Sequence, residues 1–326
     1  MLATLTAERF SDPGWLFERK FDGERCLAFG RGSGTDGSRV TLRSRNGNDT
    51  TAAYPELADA LAAAAAAARG GSPDFVADGE IVAFEGGRTS FQLLQRRIHL
   101  RRPERLARVR VPVHLYLFDL LHLDGFDVSG LPLLERKRLL RHAFAFGDPL
   151  RLSSYRMTEG ERLFGEACRR GWEGLIAKRA DAAYTHARSK DWLKFKCAAG
   201  QELVVGGFTD PKGSRVGIGA LLVGYFAQEP ARLVYAGKVG TGFDRATLLD
   251  LERRLRALQR PTSPFASLPG VALRDATGAI VHWVEPRLVV QISFAEWTAD
   301  GRLRHPSFQG LRDDKDPREV IRERPT

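Results

Sequence analysis

Long hydrophobic runs are missing from this sequence. No stretch approaches the roughly 20 apolar residues needed to span a bilayer. The longest uniform run, the alanines of 62–68, is short and is followed by Gly70-Gly71. The opening Met1-Leu2-Ala3-Thr4-Leu5 lacks a basic segment followed by an apolar core, so no secretory signal is read there. Cysteine is scarce as well, with only Cys26, Cys168 and Cys197. An odd number without metal-ligand spacing argues against a disulfide framework or a zinc site, and the expectation is reduced thiols in a reducing cytoplasm. No internal repeat is present.

What the chain does have is enough apolar residues, 43% of 326, for about two globular domains with cores of their own. It also carries 50 Lys and Arg against 40 Asp and Glu, a formal net charge of +10. That excess favours a polyanionic partner, nucleic acid being the commonest. Charge alone does not separate such a protein from a ribosomal or membrane-surface one.

Strand and helix signals are mixed over the first two thirds. The segment 16–21 partly alternates and 25–29 follows an Asp22-Gly23 turn, which predicts strand, tight turn, strand. Further strands are expected over 40–45, 75–84, 113–121, 174–179 and 192–196, with helices over 54–68, from 91, and over 159–170. The segment 32–38 reads as a hairpin loop. The irregular order predicts α+β with largely antiparallel sheets, not a doubly wound fold. After Cys197-Ala198-Ala199-Gly200 the pattern changes to short strands (202–208, 219–226, 233–239, 283–294) around one helix at 245–258. That pattern predicts a small β-barrel such as an OB-fold. The expected domains are therefore 1–197 and 201–326.

The strongest chemical signal is Lys20-Phe21-Asp22-Gly23-Glu24-Arg25 at a strand–turn junction. A lysine there can attack the α-phosphate of a nucleotide if its amine is neutral, yet a free lysine titrates near about 10.4. The site must then favour the neutral amine through desolvation or nearby cations. Alone, so short a pattern fits an exposed turn with solvated charges equally well. Companions follow: Ser44-Arg45-Asn46-Gly47, Asp78-Gly79-Glu80-Ile81-Val82, Leu117-Phe118-Asp119-Leu120, Glu173-Gly174-Leu175-Ile176-Ala177-Lys178-Arg179 and Trp192-Leu193-Lys194-Phe195-Lys196. Lys194 and Lys196 alternate with apolar neighbours, so a strand turns both ammonium groups to one face.

With these elements in this order, the sequence resembles the covalent nucleotidyltransferase superfamily of DNA ligases, RNA ligases and mRNA capping enzymes. They look like its motifs I, Ia, III, IIIa, IV and V, and the resemblance runs from Met1 to Lys315. It implies that Lys20 becomes adenylated and that Glu18 accepts from the adenine amino group. Arg25 and Arg45 would hold the ribose and the 5′-phosphate of the nick, and Phe118 would stack on adenine. Glu80 would take the ribose or a metal, Glu173 would be a metal ligand, and Lys194 and Lys196 would neutralise the α-phosphate and depress the pKa of Lys20. In the C-terminal domain, Arg312-Asp313-Asp314-Lys315 looks like motif VI, with Arg312 and Lys315 on the departing pyrophosphate. ATP and Mg²⁺ (or Mn²⁺) are the implied cofactors.

Finer likeness, in Gly206-Gly207-Phe208 and Gly237-Lys238-Val239-Gly240-Thr241-Gly242-Phe243, is to the ligase domain of bacterial end-joining ligase D and its stand-alone relatives, ligase C. It implies a monomer in the bacterial cytoplasm, associated with the nucleoid, that acts on nicked or broken duplex DNA in repair, with Ku or other end-joining proteins as partners. No polymerase, phosphoesterase or N-terminal DNA-binding module is read in the sequence. A basic cluster, Arg96, Arg97, Arg101, Arg102, Arg105, Arg108 and Arg110, and a loop carrying Lys212 and Arg215 are candidate DNA contacts. Serving ATP first and DNA later predicts an inter-domain hinge near 197–200. An RNA ligase or guanylyltransferase shares the lysine chemistry, and a basic OB-fold protein with an inactive enzyme domain is the rival from outside enzymology.

Overall fold

A computed structural model describes residues 1–31, 39–68, 74–98, 100, 103–106, 108–197, 200–227, 232–266 and 278–323. The 32–38 loop, Arg101, Arg102 and hinge residues 198–199 lie outside these. The chain divides into two compact units, Met1–Cys197 and Ala198–Glu323. The architecture is α+β, a nucleotidyltransferase unit of largely antiparallel sheets followed by an OB-fold-like unit.

The first unit holds two main sheets. A five-stranded sheet runs in the order Leu2–Leu5, Arg188–Lys196, Gly174–Arg179, Trp15–Lys20, Tyr155–Met157. Its alternation is strict enough to sort chemistry by face. Phe17, Leu175, Ala177 and Phe195 pack on the helix Gly160–Arg169 through Leu163 and Ala167. The residues between them (Glu18, Lys20, Lys178, Lys194 and Lys196) take the opposite face, as a period of two demands. The second sheet is built on Arg39–Ser44, Glu24–Arg31, Phe75–Glu85 and Val113–Leu123, and the helix Pro55–Ala66 buries Leu57 and Leu61 in the core behind it. Phe118 and Leu121 of this sheet join Trp192 of the first in a small apolar cluster, so the two sheets meet across the polar face.

The expected strand–turn–strand at Lys20 has a different consequence from a hairpin. Trp15–Lys20 belongs to the five-stranded sheet and Glu24–Arg31 to the other, so the Asp22-Gly23 turn carries the chain between sheets. Gly23 is required there, because a β-carbon would lie 2.2 Å from the Ile81 carbonyl oxygen. A helix that the sequence reading missed, Leu133–Ala143, brings Arg136 and Lys137 into the same region. Arg136 and Asp119 are both fully buried, and the guanidinium spans the carboxylate with Nε–Oδ1 at 2.7 Å and a second bond of 3.0 Å.

In the second unit, the long strand Gly200–Thr209 pairs on one side with Leu221–Ala227 and on the other with both Val281–Val284 and Val289–Ser293. This double pairing curls the sheet around Leu203, Val205 and Phe208, and the helix Arg245–Arg256 adds Leu248, Leu251 and Leu255 to that core. Asp244 caps the helix by accepting from the Thr247 amide at 2.7 Å.

One expectation fails outright. Cys168 and Cys197 form a disulfide, with α-carbons 5.2 Å apart, and only the buried Cys26 is a free thiol. The helix Gly160–Arg169 packs on the sheet so that its last turn meets the end of the strand Arg188–Lys196, a closeness invisible in a separation of 29 residues.

Thiol titration of the unfolded, unreduced protein is expected to find one group, rising to three after reduction. Three before reduction would contradict the pairing. Replacing Arg136 with methionine leaves Asp119 buried without its partner and is expected to cost about 3–5 kcal/mol in urea unfolding. A loss no larger than the roughly 1 kcal/mol of an exposed pair would show that the pair is not structural.

Candidate active site

The register of the five-stranded sheet assembles the site. Gly174 pairs with both Lys20 and Lys196, and Ile176 with both Glu18 and Lys194. Two rungs thus carry four of the expected residues on one face, and Glu173 stands at the edge, just before the strand. Lys20 Nζ lies 2.5 Å from Glu173 Oε2, with both side chains largely covered.

That ion pair corrects one expectation. Burial alone lowers the Lys20 pKa, but Glu173, then Asp22 and Glu80, outweigh it, and the net direction is upward from the ordinary lysine value. Lys194 and Lys196 do not reverse this. The net effect of these neighbours favours the protonated amine.

Glu18 is buried to 2% exposure, with Lys137 Nζ 2.5 Å from its Oε1 and Lys178 Nζ 3.1 Å from its Oε2. Ser153 Oγ donates to the same Oε2 at 3.0 Å. Burial opposes its charge, yet the two ammonium groups hold its pKa below the usual carboxylate range. With about four lone-pair positions on a carboxylate, Glu18 keeps room for one further donor. Phe118 is 9% exposed, and its face is covered, because Lys178 Nζ lies 4.3 Å from its centroid and 4.0 Å from that of Trp192. Burial, offset in part by Glu18, lowers the Lys178 pKa to about 8. A planar ring stacking on that face of Phe118 would take the place of the ammonium.

Arg25 is anchored more firmly than the sequence suggested. Its Nε donates to Asp78 Oδ1 at 2.9 Å, one terminal nitrogen to Asp78 Oδ2 at 2.5 Å and Tyr184 Oη at 3.1 Å, and the other to the Met1 carbonyl at 2.6 Å. Of five donors, one is left for a ligand. Arg45 is half-buried at the start of the Ser44–Gly47 turn, where the Gly47 amide bonds the Ser44 carbonyl at 2.8 Å. Lys137, Ser153, Lys178, Asp78 and Tyr184 were not singled out as site residues. Lys178 stands inside the Glu173–Arg179 segment, and its place two residues after Ile176, on the same strand face, is the available signal.

In the second unit, Arg312 is turned onto its own loop, with two bonds of 2.8 Å to Asp314, and Lys315 Nζ lies 3.7 Å from Glu202. Two of the candidate DNA contacts are corrected. Arg97 points inward, donating to the Ala53 and Val111 carbonyls at 3.0 Å and to Glu56 at 2.6 Å. Arg215 folds back onto the Ile218 and Gly240 carbonyls, each at 2.9 Å. Arg96 and Lys212 are exposed.

The donor set bears on the implied metal. No group of three or more His, Cys, Asp or Glu side chains that could hold an ion occurs among the described residues. Glu173 and Glu80 are hard oxygen donors within the field of Lys20. They fit Mg²⁺, which keeps most of its shell as water and substrate phosphate.

Since Glu173 contributes most to raising the Lys20 pKa, Glu173→Gln is expected to leave desolvation dominant and move the titration down. Lysine carbon NMR against pH, with Lys20 assigned through Lys20→Arg, measures it. An unmoved midpoint would refute the pairing.

Residues 1–196 match the family described as ATP dependent DNA ligase domain, and residues 214–315 match ATP dependent DNA ligase C terminal region. The chain is similar to the multifunctional non-homologous end joining protein LigD of Pseudomonas aeruginosa, with 41% identity over 95% of the chain and 35% of the relative. The Mycobacterium tuberculosis protein of that kind is 39% identical over 95% of the chain and 37% of its own length. The chain therefore spans about a third of these relatives. A solved structure of mycobacterial DNA ligase D complexed with ATP and MES shares 35% identity at a TM-score of 0.64, covering 99% of this chain and 98% of that one. On both matches, which lie over the two folded units, the chain belongs to the ATP-dependent DNA ligase family.

Proposed function

We propose that the chain seals breaks with 5′-phosphate and 3′-hydroxyl ends in duplex DNA through a lysyl-AMP intermediate, as a DNA ligase that consumes ATP. The observation that carries this reading is Lys20, half-buried on the polar face of its sheet, ion-paired with Glu173 and on one rung with Lys196. Once its proton is lost, the Lys20 Nζ lone pair attacks the α-phosphorus of ATP. A nitrogen–phosphorus bond forms, the bond to the bridging oxygen breaks, and pyrophosphate leaves. AMP then passes to the 5′-phosphate of the break, freeing Lys20, and the 3′-hydroxyl attacks that phosphate and expels AMP. Positioning and electrostatics supply most of the catalysis in such transfers.

Named side chains take defined roles in this reading. Lys194 and Lys196 offer cations to the α-phosphate, Glu18 takes the adenine amine, Phe118 its ring, and Arg25 the ribose through its remaining donor. Arg45 holds the 5′-phosphate, and Arg312 and Lys315 act on the pyrophosphate. Glu173 and Glu80 would hold Mg²⁺ or Mn²⁺, which supplies charge neutralisation at the phosphates when bound. Likeness to end-joining proteins supports double-strand break repair as the setting, Ku or other end-joining proteins as partners, and a monomer in the bacterial nucleoid as the working form.

Incubation with α-labelled ATP, followed by denaturing electrophoresis, is expected to label the chain and to leave Lys20→Ala unlabelled. The unaltered chain is expected to seal 5′-phosphorylated nicked DNA in preference to nicked RNA. Labelled Lys20→Ala would overturn the nucleophile, and preference for RNA or for GTP would overturn the DNA or ATP assignment.

A further inference from the structure

A group of guanidinium side chains beside Lys20 and Glu173 has no part in the roles above. Arg19 immediately precedes the nucleophile and points to the other face of its strand. Its guanidinium carbon lies 4.7 Å from the centroid of Trp172, 5.4 Å from Phe21 and 5.5 Å from Phe84. Its Nε and one terminal nitrogen are buried without a hydrogen-bond partner, and no carboxylate pairs with it among the described residues. Trp172, which precedes Glu173, also carries Arg170 at 5.6 Å from its ring. The ion pair of Arg170 is with Glu166, at 2.6 Å, and the Arg170 side chain is 60% exposed. Arg88, exposed and without an ion pair among the described residues, lays its guanidinium against Gly171. Gly171 has φ +67° and no side chain, and a β-carbon there would come within 2.5 Å of Arg88 Cζ.

Arg19 and Arg170 thus share the Trp172 ring, Arg88 lies against the neighbouring Gly171, and the half-buried Glu166 pairs with Arg170. A covered guanidinium with unmade hydrogen bonds is costly, and Arg170 adds repulsion to that cost. Stacking on aromatic faces offsets part of it and fixes the plane of the fork. An oxyanion would satisfy the open donors, and a phosphate matches the fork in geometry and charge. The triphosphate of ATP must lie on the face of Lys20, whereas Arg19 projects from the opposite face. That placement favours the nucleic acid as the source of the phosphate.

We propose that Arg19, Arg88 and Arg170 form a phosphate subsite around Trp172, next in sequence to Lys20 and Glu173 but on the strand face opposite the amine, that takes one phosphodiester of the DNA strand next to the break. The subsite rests on the ligase reading given above. Arg19 and Trp172 are directly bonded in sequence to the nucleophile and to Glu173, so occupation of the subsite ties the position of the duplex to that of the reacting groups.

The test is equilibrium binding of the full chain to 5′-phosphorylated nicked duplex over a range of salt. Arg88→Gln and Arg170→Gln are each expected to reduce the slope of log affinity against log salt by about 1, whatever the base sequence. An uncharged methylphosphonate placed singly at phosphates flanking the nick is expected to weaken binding of the unaltered chain at one position. It is expected to cost Arg88→Gln nothing further at that position. Arg19→Lys keeps the charge but loses the fork, and is expected to lower affinity with little change in slope. Should the Arg19 variant fail to fold, the exposed Arg88 and Arg170 carry the test. Unchanged slopes in both Gln variants would overturn the subsite. So would a raised KM for ATP in lysyl-AMP formation with an unchanged slope, which would assign the phosphate to the nucleotide. If the unaltered chain seals nicks while these variants bind as it does, only the subsite fails. If it seals none, the ligase reading fails first.

Discussion

The ion pair between Lys20 and Glu173 is the constraint around which the first unit is organised. A covered amine without a partner would have its charge penalised by burial. The sheet register solves this by placing Lys20 beside Gly174, with Glu173 at the strand edge within 2.5 Å. The resulting rise in pKa keeps the lone pair unavailable at neutral pH. Bringing that pKa down requires Glu173 to be drawn off or its charge to be offset by a cation.

Around that pair, the polar face is assembled from further buried charges. Arg25 is fixed by Asp78, Arg136 by Asp119, and Glu18 sits between Lys137 and Lys178. Each removes charge from water at a cost that good geometry only partly returns, so such pairs are weak sources of stability. Their value lies in direction. They hold planar forks and ammonium groups at fixed angles where the two sheets meet, whereas a flexible surface pair would wander. The cover of Lys178 over Phe118 and Trp192 follows the same logic, with a cation resting on two aromatic faces until something flatter displaces it.

Much of this was legible in the residues. The order of the motifs singled out Lys20 and Glu173, which the fold brings together, and alternation put Lys194 and Lys196 on one face. Composition and turn residues separated a mixed domain from a small barrel. What stayed hidden was long-range. Whether Asp22-Gly23 closes a hairpin or passes the chain between sheets depends on Ile81, 58 positions after Gly23 in sequence (81 less 23). Arg97 looked like one of seven equivalent arginines, and only the carbonyls of Ala53 and Val111 distinguish it. The helix Leu133–Ala143 was readable from Pro132 and the leucines at 133, 134, 139 and 140, and overlooking it concealed Lys137. The direction of the Lys20 shift could not be read at all, since it balances burial against three acids whose distances only the fold sets.

The bond between Cys168 and Cys197 closes a ring that contains Glu173, Lys178, Lys194 and Lys196. Within that ring, Glu173 and the lysines of the polar face stay at high mutual concentration even when the surrounding sheet opens. A chain so closed would start refolding with half of its polar face already gathered, and a reduced one would have to bring it together by diffusion. Thiol chemistry therefore bears on how quickly the pocket is rebuilt as well as on how firmly it stands.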